Sequence, residues 1–189
     1  MYLVRGFSMF FRSLPIGLLF CFLCSPLAFG APIHDAAKKG TDDRVNELLA
    51  GGEWLEAKDN EGYTPLIRAA SEGQNATVKL LLSKGGDVNA MTAGKSTALE
   101  LAAQNGHIEV VKTLLSAIGV VVNSKNNNNV SPLLVACQEG HQEIVGLLLQ
   151  GGADPNVIRK DGATALTMAS QNGYLGIVKI LLAYKANPN

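Results

Sequence analysis

Residues 58–90 have the sequence KDNEGYTPLIRAASEGQNATVKLLLSKGGDVNA, which contains the pattern that decides the fold. The pattern is a pair of small residues, a glycine three residues after the pair, and then a double leucine. It occurs five times along the chain. Its glycines, which are 33, 33, 34 and 33 residues apart, are Gly40, Gly73, Gly106, Gly140 and Gly173. A fixed period of this length predicts a solenoid, in which each unit buries its apolar faces against its neighbours.

The residue types within one copy predict two short helices and a turn. Thr64 is a favourable N-cap, and Pro65 suits the first helical position because its missing N–H has no partner there. Gly73 can adopt the positive φ that ends this helix. The second helix carries an apolar stripe with spacing i, i+3 and i+4, formed by Val78, Leu81 and Leu82. Residues 59–62 form a hairpin tip, so we predict an all-α repeat solenoid of helix-turn-helix pairs linked by β-hairpin tips.

Four stretches of the chain resemble the T-P-L-H-x-A motif of the ankyrin repeat. They are Thr64–Ala69, Thr97–Ala102, Ser131–Ala136 and Thr164–Ala169. The resemblance covers essentially all of residues 31–189. It divides them into a partial copy at 31–57 and further copies at 58–90, 91–124, 125–157 and 158–189. It implies five stacked helix pairs, four hairpin tips and a concave face that binds another protein.

The copies depart from the family pattern in three ways. The histidine of the motif is kept only at His34, and the later copies have Ile67, Glu100, Leu134 and Thr167 at this position. The resemblance assigns this imidazole to bonds between repeats, so we expect those bonds to be lost in the later copies. The third copy has one extra residue, and its Val121 replaces an aspartate, which predicts an exposed apolar side chain. The tip of the fourth copy, residues 126–129, has no glycine, and we expect an asparagine to adopt the left-handed conformation there.

Residues 1–30 differ in kind from the repeats. Two arginines precede an apolar run at residues 16–24, and the small residues Ala28 and Gly30 follow it. This pattern is typical of a secretory signal peptide, so we predict cleavage before Ala31 and an exported bacterial protein, periplasmic or secreted. The apolar run is shorter than the ~20 residues that a membrane-spanning helix needs. An uncleaved membrane anchor, or a cytoplasmic scaffold with a misassigned start, are the alternatives.

The composition excludes several classes of function. The chain has 16 basic and 16 acidic residues, so we expect neither a nucleic-acid partner nor, after signal cleavage, a membrane partner. Cys21 and Cys24 lie in the N-terminal segment and Cys137 in a repeat, which yields no disulfide framework or metal ligand set. His107 and His141 begin second helices where the repeat normally has histidine, so we interpret them as structural. We therefore predict no catalytic residue, no cofactor and no metal site.

Two stretches match the acceptor sequence for N-glycosylation. They begin at Asn75 and Asn129. Such sites are used in a eukaryotic secretory pathway, whereas exported ankyrin domains are more familiar from bacterial envelopes, and chance matches are common in an asparagine-rich chain. We therefore expect both sites to be unmodified.

The hairpin tips and the exposed sides of the first helices project the residues that packing between repeats leaves free. Most are amides and acids, which predicts a polar, hydrogen-bonding surface. Tyr63 is the one aromatic residue among them and our candidate anchor, and we expect packing not to require its ring. The predicted protein-binding residues are Asn60, Glu61, Tyr63, Arg68, Ser71, Glu72, Gln104, Asn105, Asn127, Asn128, Gln138, Glu139, Lys160, Asp161, Gln171 and Asn172.

The sequence thus predicts a non-enzymatic, exported scaffold that is monomeric and binds a protein partner on its concave face. The alternative from another class is an envelope accessory protein that supports a metal- or heme-dependent enzyme. The lack of spare histidines, cysteines and paired carboxylates argues against that alternative.

Overall fold

The computed structural model describes residues 32–188, so the predicted signal peptide and its cleavage site lie outside the described residues. Ten α-helices in this range form five antiparallel pairs, which confirms the all-α repeat solenoid. They are α1 Pro32–Lys39, α2 Asp42–Ala50, α3 Pro65–Ser71, α4 Asn75–Ser83, α5 Ala98–Gln104, α6 Ile108–Leu115, α7 Pro132–Glu139, α8 Gln142–Gln150, α9 Ala165–Gln171 and α10 Leu175–Ala183.

The five pairs stack in two layers. The first helices (α1, α3, α5, α7 and α9) pack against one another in chain order, and the second helices (α2, α4, α6, α8 and α10) do the same beside them. Each first helix also packs against the second helix of its own pair. Every internal helix is therefore covered by both neighbours, as a solenoid requires.

The first helices of the second to fifth repeats begin at hydroxyl N-caps. The Thr64 side chain accepts a hydrogen bond from the backbone N–H of Ile67 at 3.3 Å. Thr97, Ser131 and Thr164 make the equivalent bond in their own repeats. These caps satisfy a helix N–H that would otherwise lack a partner, and they confirm the predicted helix starts.

Each of the four tips closes through the same two backbone bonds. In the first, the Asp59 N–H donates to the Tyr63 carbonyl at 3.0 Å, and the Gly62 N–H donates to the Asp59 carbonyl at 2.9 Å. The left-handed residue of the third tip, which belongs to the fourth copy, is Asn129, with φ 61°, which confirms the expectation for that turn. The corresponding residue of the second tip is Lys95, with φ 64°, a conformation that costs about 1–2 kcal/mol for a residue with a side chain.

The helices α1, α3, α5 and α7 are each followed by a glycine, and a side chain of the next repeat packs against that glycine. Gly73 has φ 76°, and a Cβ placed on it would lie 2.7 Å from Nδ1 of His107. The other ring nitrogen of His107, Nε2, lies 2.9 Å from the Ser71 carbonyl oxygen, so the ring joins two repeats. We call this arrangement the glycine socket. The four sockets pair Gly40 with Gln74, Gly73 with His107, Gly106 with His141, and Gly140 with Tyr174. The structural interpretation of the two histidines is thereby confirmed.

Amide side chains connect the turns that follow the second helices. The Asn89 side-chain oxygen accepts from the Val121 N–H at 2.8 Å, and its Nδ2 donates to the Gly119 carbonyl at 2.8 Å. Asn123 and Asn156 make the same pair of bonds to the turns of the next repeats. Val121 is 50% exposed, as predicted for the copy with the extra residue.

The expected loss of bonds at the histidine position is right at Ile67 and Leu134, which are apolar and fully buried. It is wrong at Glu100, whose Oε1 accepts from the Asn126 amide of the next repeat at 2.6 Å. A carboxyl oxygen here makes the bond between repeats in place of the imidazole. Thr167, in the last repeat, bonds instead within its own repeat, where it completes a capping box with Thr164.

The first and last described repeats each carry an exposed polar residue at a position where other repeats have a buried one. Arg44 is exposed, whereas Val110, one of its equivalents in later repeats, is 1% exposed. Ser170 is exposed, whereas the small residues at its position in the other repeats are buried. One of these is Cys137, and burial raises the pKa of its thiol to about 12, so the thiol is unreactive.

The two leucines of each pair are not equivalent, and this difference can be measured. Leu114 is fully buried, whereas Leu115 is half-buried. We expect Leu114→Ala to lower the free energy of unfolding by about 2–5 kcal/mol. Leu115→Ala should cost roughly 1–2 kcal/mol, because less apolar surface returns to water. Urea unfolding followed by circular dichroism measures both, and equal losses would contradict the assignment of core and margin.

The glycine socket yields a second matched pair of variants. Gly73 and Gly173 have φ of 76° and 73°, but a Cβ on Gly173 would meet no atom within 4 Å. Gly173→Ala should therefore cost about 1–2 kcal/mol of stability, the penalty for the left-handed backbone alone. Gly73→Ala should cost roughly 1–3 kcal/mol more, because its Cβ displaces the His107 ring. If the two variants unfold at the same urea concentration, the socket contact contributes nothing.

Candidate functional site

The four tips and the exposed sides of the first helices form one continuous surface, which we call the inner surface. Thirteen of the sixteen predicted binding residues are exposed, and Tyr63, Arg68 and Ser71 are half-buried. The inner surface is polar along its whole length, as expected from its composition.

Arg68 organises the N-terminal end of the inner surface. Its Nε donates to Oδ2 of Asp59 at 2.7 Å, and one terminal nitrogen donates to Oε2 of Glu61 at 2.5 Å. Its guanidinium carbon lies 4.0 Å from the centroid of the Tyr63 ring. The other oxygen of Asp59 accepts from the backbone N–H groups of Glu61 and Tyr63, both at 3.0 Å. One arginine on α3 therefore holds the first tip in place through two ion pairs and a cation–π contact.

The contacts between Asp59 and Arg68 favour the charged forms of both side chains. Burial by itself raises the pKa of Asp59, but hydrogen bonds from Arg68 and from the tip backbone outweigh it and leave the pKa below its usual value. Burial likewise acts to lower the pKa of Arg68, and its bonds to Asp59 and Glu61 outweigh that effect and raise it. The positive charge of Arg68 is thus compensated by the two carboxylates beside it.

The prediction that packing does not require the ring of Tyr63 is wrong. The ring is half-buried, packs against the hydrophobic core and lies under the guanidinium of Arg68. The backbone carbonyl of Tyr63 is also bound to Nε2 of His34 at 2.9 Å. In the sequence, a single aromatic residue in a polar stretch resembles a free contact residue. In the structure, Arg68, five residues further along the chain, covers the face of its ring.

A cavity of about 310 Å³ opens beside the cluster. Its lining is entirely polar or charged and consists of His34, Asp35, Lys38, Asp59, Asn60, Glu61 and Arg68. Nζ of Lys38 lies 3.7 Å from Oε1 of Glu72, the residue that follows α3. The cavity suits a polar group of a partner better than an apolar side chain.

The C-terminal end of the inner surface repeats the arrangement of an arginine tied to its own tip. Arg159 Nε donates to Asp161 at 2.8 Å, and a terminal nitrogen of Arg159 donates to Gln138 on α7 at 3.3 Å. The hydrogen bond from Arg159, together with the backbone N–H of Ala163, lowers the pKa of Asp161 to about 2. Sequence reasoning omitted Arg159, although its position one residue before Lys160 in the tip could have indicated it.

The middle of the inner surface is neutral, and part of it belongs to the framework. Asn105 donates to the Ser71 carbonyl at 2.7 Å, and Asn172 makes the equivalent bond to Gln138 at 3.1 Å. The backbone N–H of Asn127 donates to the Gly94 carbonyl at 3.0 Å, which joins neighbouring tips. Asn105 and Asn172 thus connect repeats, whereas the exposed Gln104 side chain makes no hydrogen bond to any residue within 32–188.

Both N-glycosylation sequons are engaged in packing. The side-chain oxygen of Asn75 accepts from Thr113 at 2.7 Å, and Thr77 of the same sequon is fully buried. The Asn129 amide donates to the Ile158 carbonyl, and Ser131 caps α7. A glycan is attached to Nδ2, so at Asn129 it would occupy the nitrogen that donates to Ile158, whereas the Asn75 contact uses the side-chain oxygen.

Within residues 32–188, no three histidine, cysteine, aspartate or glutamate side chains lie close enough together to hold a metal ion. In the same range, every helix is too short or too polar to cross a bilayer. The chemistry that the inner surface offers is hydrogen bonding and ion pairing.

Comparison with known proteins identifies the repeat. The family model for ankyrin repeats (3 copies) matches residues 33–126 and 118–189. None of the curated proteins compared with the chain matches it. Ankyrin repeats are generally protein-interaction modules and typically non-enzymatic. Because the two matches together cover most of the sequence, the chain belongs to the ankyrin-repeat family.

Proposed function

We propose that this ankyrin-repeat protein is an exported, monomeric, non-enzymatic scaffold that binds a protein partner on its inner surface. The observation that carries the proposal is the fixed polar surface between the Arg68 cluster and the Arg159–Asp161 pair. Tips held by ion pairs and by bonds to neighbouring repeats lose little conformational entropy on binding, which favours association.

The chemistry of the inner surface defines the kind of partner. Its exposed side chains are amides, carboxylates and lysine, with the one aromatic ring partly covered by Arg68. Such a surface suits a hydrogen-bonding protein segment with bridging water, in an interface more polar than the core of an obligate dimer. The cavity beside Arg68 would receive a polar or basic group of that segment, since Asp35, Asp59 and Glu61 line it.

Two glutamines test which surface binds. Gln104 and Gln150 are both exposed and are the last residues of α5 and α8, one on the inner surface and the other in the layer of second helices. For a partner captured from the native source and identified by mass spectrometry, we expect Gln104→Arg to raise Kd roughly tenfold or more. Gln150→Arg should leave Kd unchanged, and both variants should retain wild-type stability. Calorimetric titration measures both, and the reverse ranking would place binding on the outer layer.

Export is tested separately on the protein from its native source. The basic and apolar segment at residues 1–30 supports cleavage after Gly30, so the mature chain should begin at Ala31. N-terminal sequencing of the protein from the extracytoplasmic fraction measures this directly. Recovery of the chain with residues 1–30 retained, in the cytoplasm or on the membrane, would overturn export and leave the binding proposal standing.

A further inference from the structure

Glu100 is buried among apolar neighbours and has a polar atom without a partner. The residue is 2% exposed, and its Oε2 has no hydrogen-bond partner. The residues at its position in the adjacent first helices are Ile67 and Leu134, both fully buried. An ionised carboxylate in such a place requires two well-satisfied oxygens, and only one is satisfied here.

The satisfied oxygen joins two repeats. Oε1 accepts from the Ser96 hydroxyl at 3.1 Å and from Nδ2 of Asn126 at 2.6 Å. We call these three side chains the Glu100 bridge. Ser96 ends the second tip, two residues before α5 begins, and Asn126 begins the third tip, so the Glu100 bridge ties one tip to the next.

Asn126 in turn holds the third tip together. Its side-chain oxygen accepts from the backbone N–H groups of Asn128 at 2.9 Å and of Val130 at 3.1 Å. In the first tip Asp59 has the same role, but there Arg68 supplies the positive charge that fixes it. In the third tip an amide replaces the carboxylate and is oriented by Glu100 instead.

No charge compensates Glu100. The charged or titratable side chains on α5's neighbouring helices and tips either pair elsewhere or face solvent: Arg68 binds Asp59 and Glu61, and Lys112 binds Glu109 and Glu143. Of the remaining ones, Glu72 after α3 pairs with Lys38, and Lys95, Lys125 and Glu139 are exposed. His107 bonds to the Ser71 carbonyl, and Cys137 on α7 is a buried thiol whose pKa burial raises to about 12. The carboxyl bonds only to Ser96 and Asn126.

From this geometry we propose that Glu100 is a proton-dependent link between the second and third tips, intact when the carboxyl is neutral and weakened when it ionises. A neutral carboxyl leaves one buried hydroxyl group without a partner, which is a modest penalty. A carboxylate leaves a buried charge with one oxygen unsatisfied, so water must enter. The third tip, which includes the inner-surface residues Asn127 and Asn128, then loses its bond to Glu100 and is held less firmly.

The direction of the pH effect follows from burial. Desolvation raises the pKa of Glu100 to about 7, against hydrogen bonds from Asn126 and Ser96 that lower it. The folded chain therefore binds more protons than the unfolded chain between the ordinary pKa of 4.5 and about 7. Stability is then highest below this window and falls as the pH rises through it.

Glu100→Gln is the direct test, because glutamine has the shape of the neutral carboxyl and its oxygen accepts the same two bonds. From pH 5 to pH 8.5, we expect the equilibrium constant for unfolding to rise on the order of 50- to 100-fold more in the wild-type chain than in Glu100→Gln. The comparison of two pH profiles removes the contributions of His34, His107 and His141, which both chains share. Parallel profiles would overturn the proposal.

Hydrogen exchange locates the effect. Protection of the amides of Asn128 and Val130 should fall between pH 5.5 and 8.5 beyond the intrinsic change in exchange rate, and this extra loss should be absent in Glu100→Gln. The amides of Glu61 and Tyr63 in the first tip are the internal control and should keep their protection. Loss at both tips alike would show general loosening and contradict a local link.

A titration of the unmodified chain requires no variant. The side-chain carboxyl carbon of Glu100, observed by NMR with ¹³C-labelled protein, should titrate with a midpoint near 7. A midpoint near the ordinary value for glutamate would overturn the proposal even if Glu100→Gln failed to fold.

Discussion

The stack depends on a glycine that must satisfy two conditions at once. Gly73 has a backbone that only a residue without a side chain adopts cheaply, and it occupies a place where the next repeat lays its His107 ring. The first condition ends the first helix and turns the chain into the second. The second condition fixes how closely the neighbouring repeat approaches. Because both conditions apply to the same glycine, a copy of the pattern specifies its own turn and also its contact with the copy that follows it.

Side-chain bonds to the backbone of the next repeat add direction to that contact. The Asn89 side-chain amide donates one hydrogen bond to the turn of the next repeat and accepts another from it. Asn123 and Asn156 make the same pair of bonds to the turns that follow them. Apolar packing between the helices is non-directional, whereas these bonds are satisfied at one register only. A surface assembled on such a frame presents its polar groups at set spacings, which is the physical basis for proposing it as a binding surface.

The histidine position shows how one site in a repeat takes different chemistry. His34 bonds to the carbonyls of Ala57 and Tyr63, both at 2.9 Å, as the resemblance implied. Ile67 and Leu134 replace these bonds with apolar burial, and Glu100 replaces them with a carboxyl that bonds to Ser96 and Asn126. Packing alone maintains the stack at the apolar copies. The carboxyl copy keeps the bond between repeats at the cost of a buried group that titrates.

Sequence alone determined the repeat, the helix caps and the turns, because these depend on residues within one copy: the hydroxyl of Thr64 and the glycines act on backbone a few positions away. It also indicated the polar character of the inner surface. Only the tertiary structure decided which of those residues are free, since their partners lie about one repeat away in the chain. Asn105 reaches the Ser71 carbonyl, and the burial of Glu100 arises from helices on both sides. A repeat pattern specifies that neighbours touch, but the side-chain geometry of the neighbour decides what each residue bonds to.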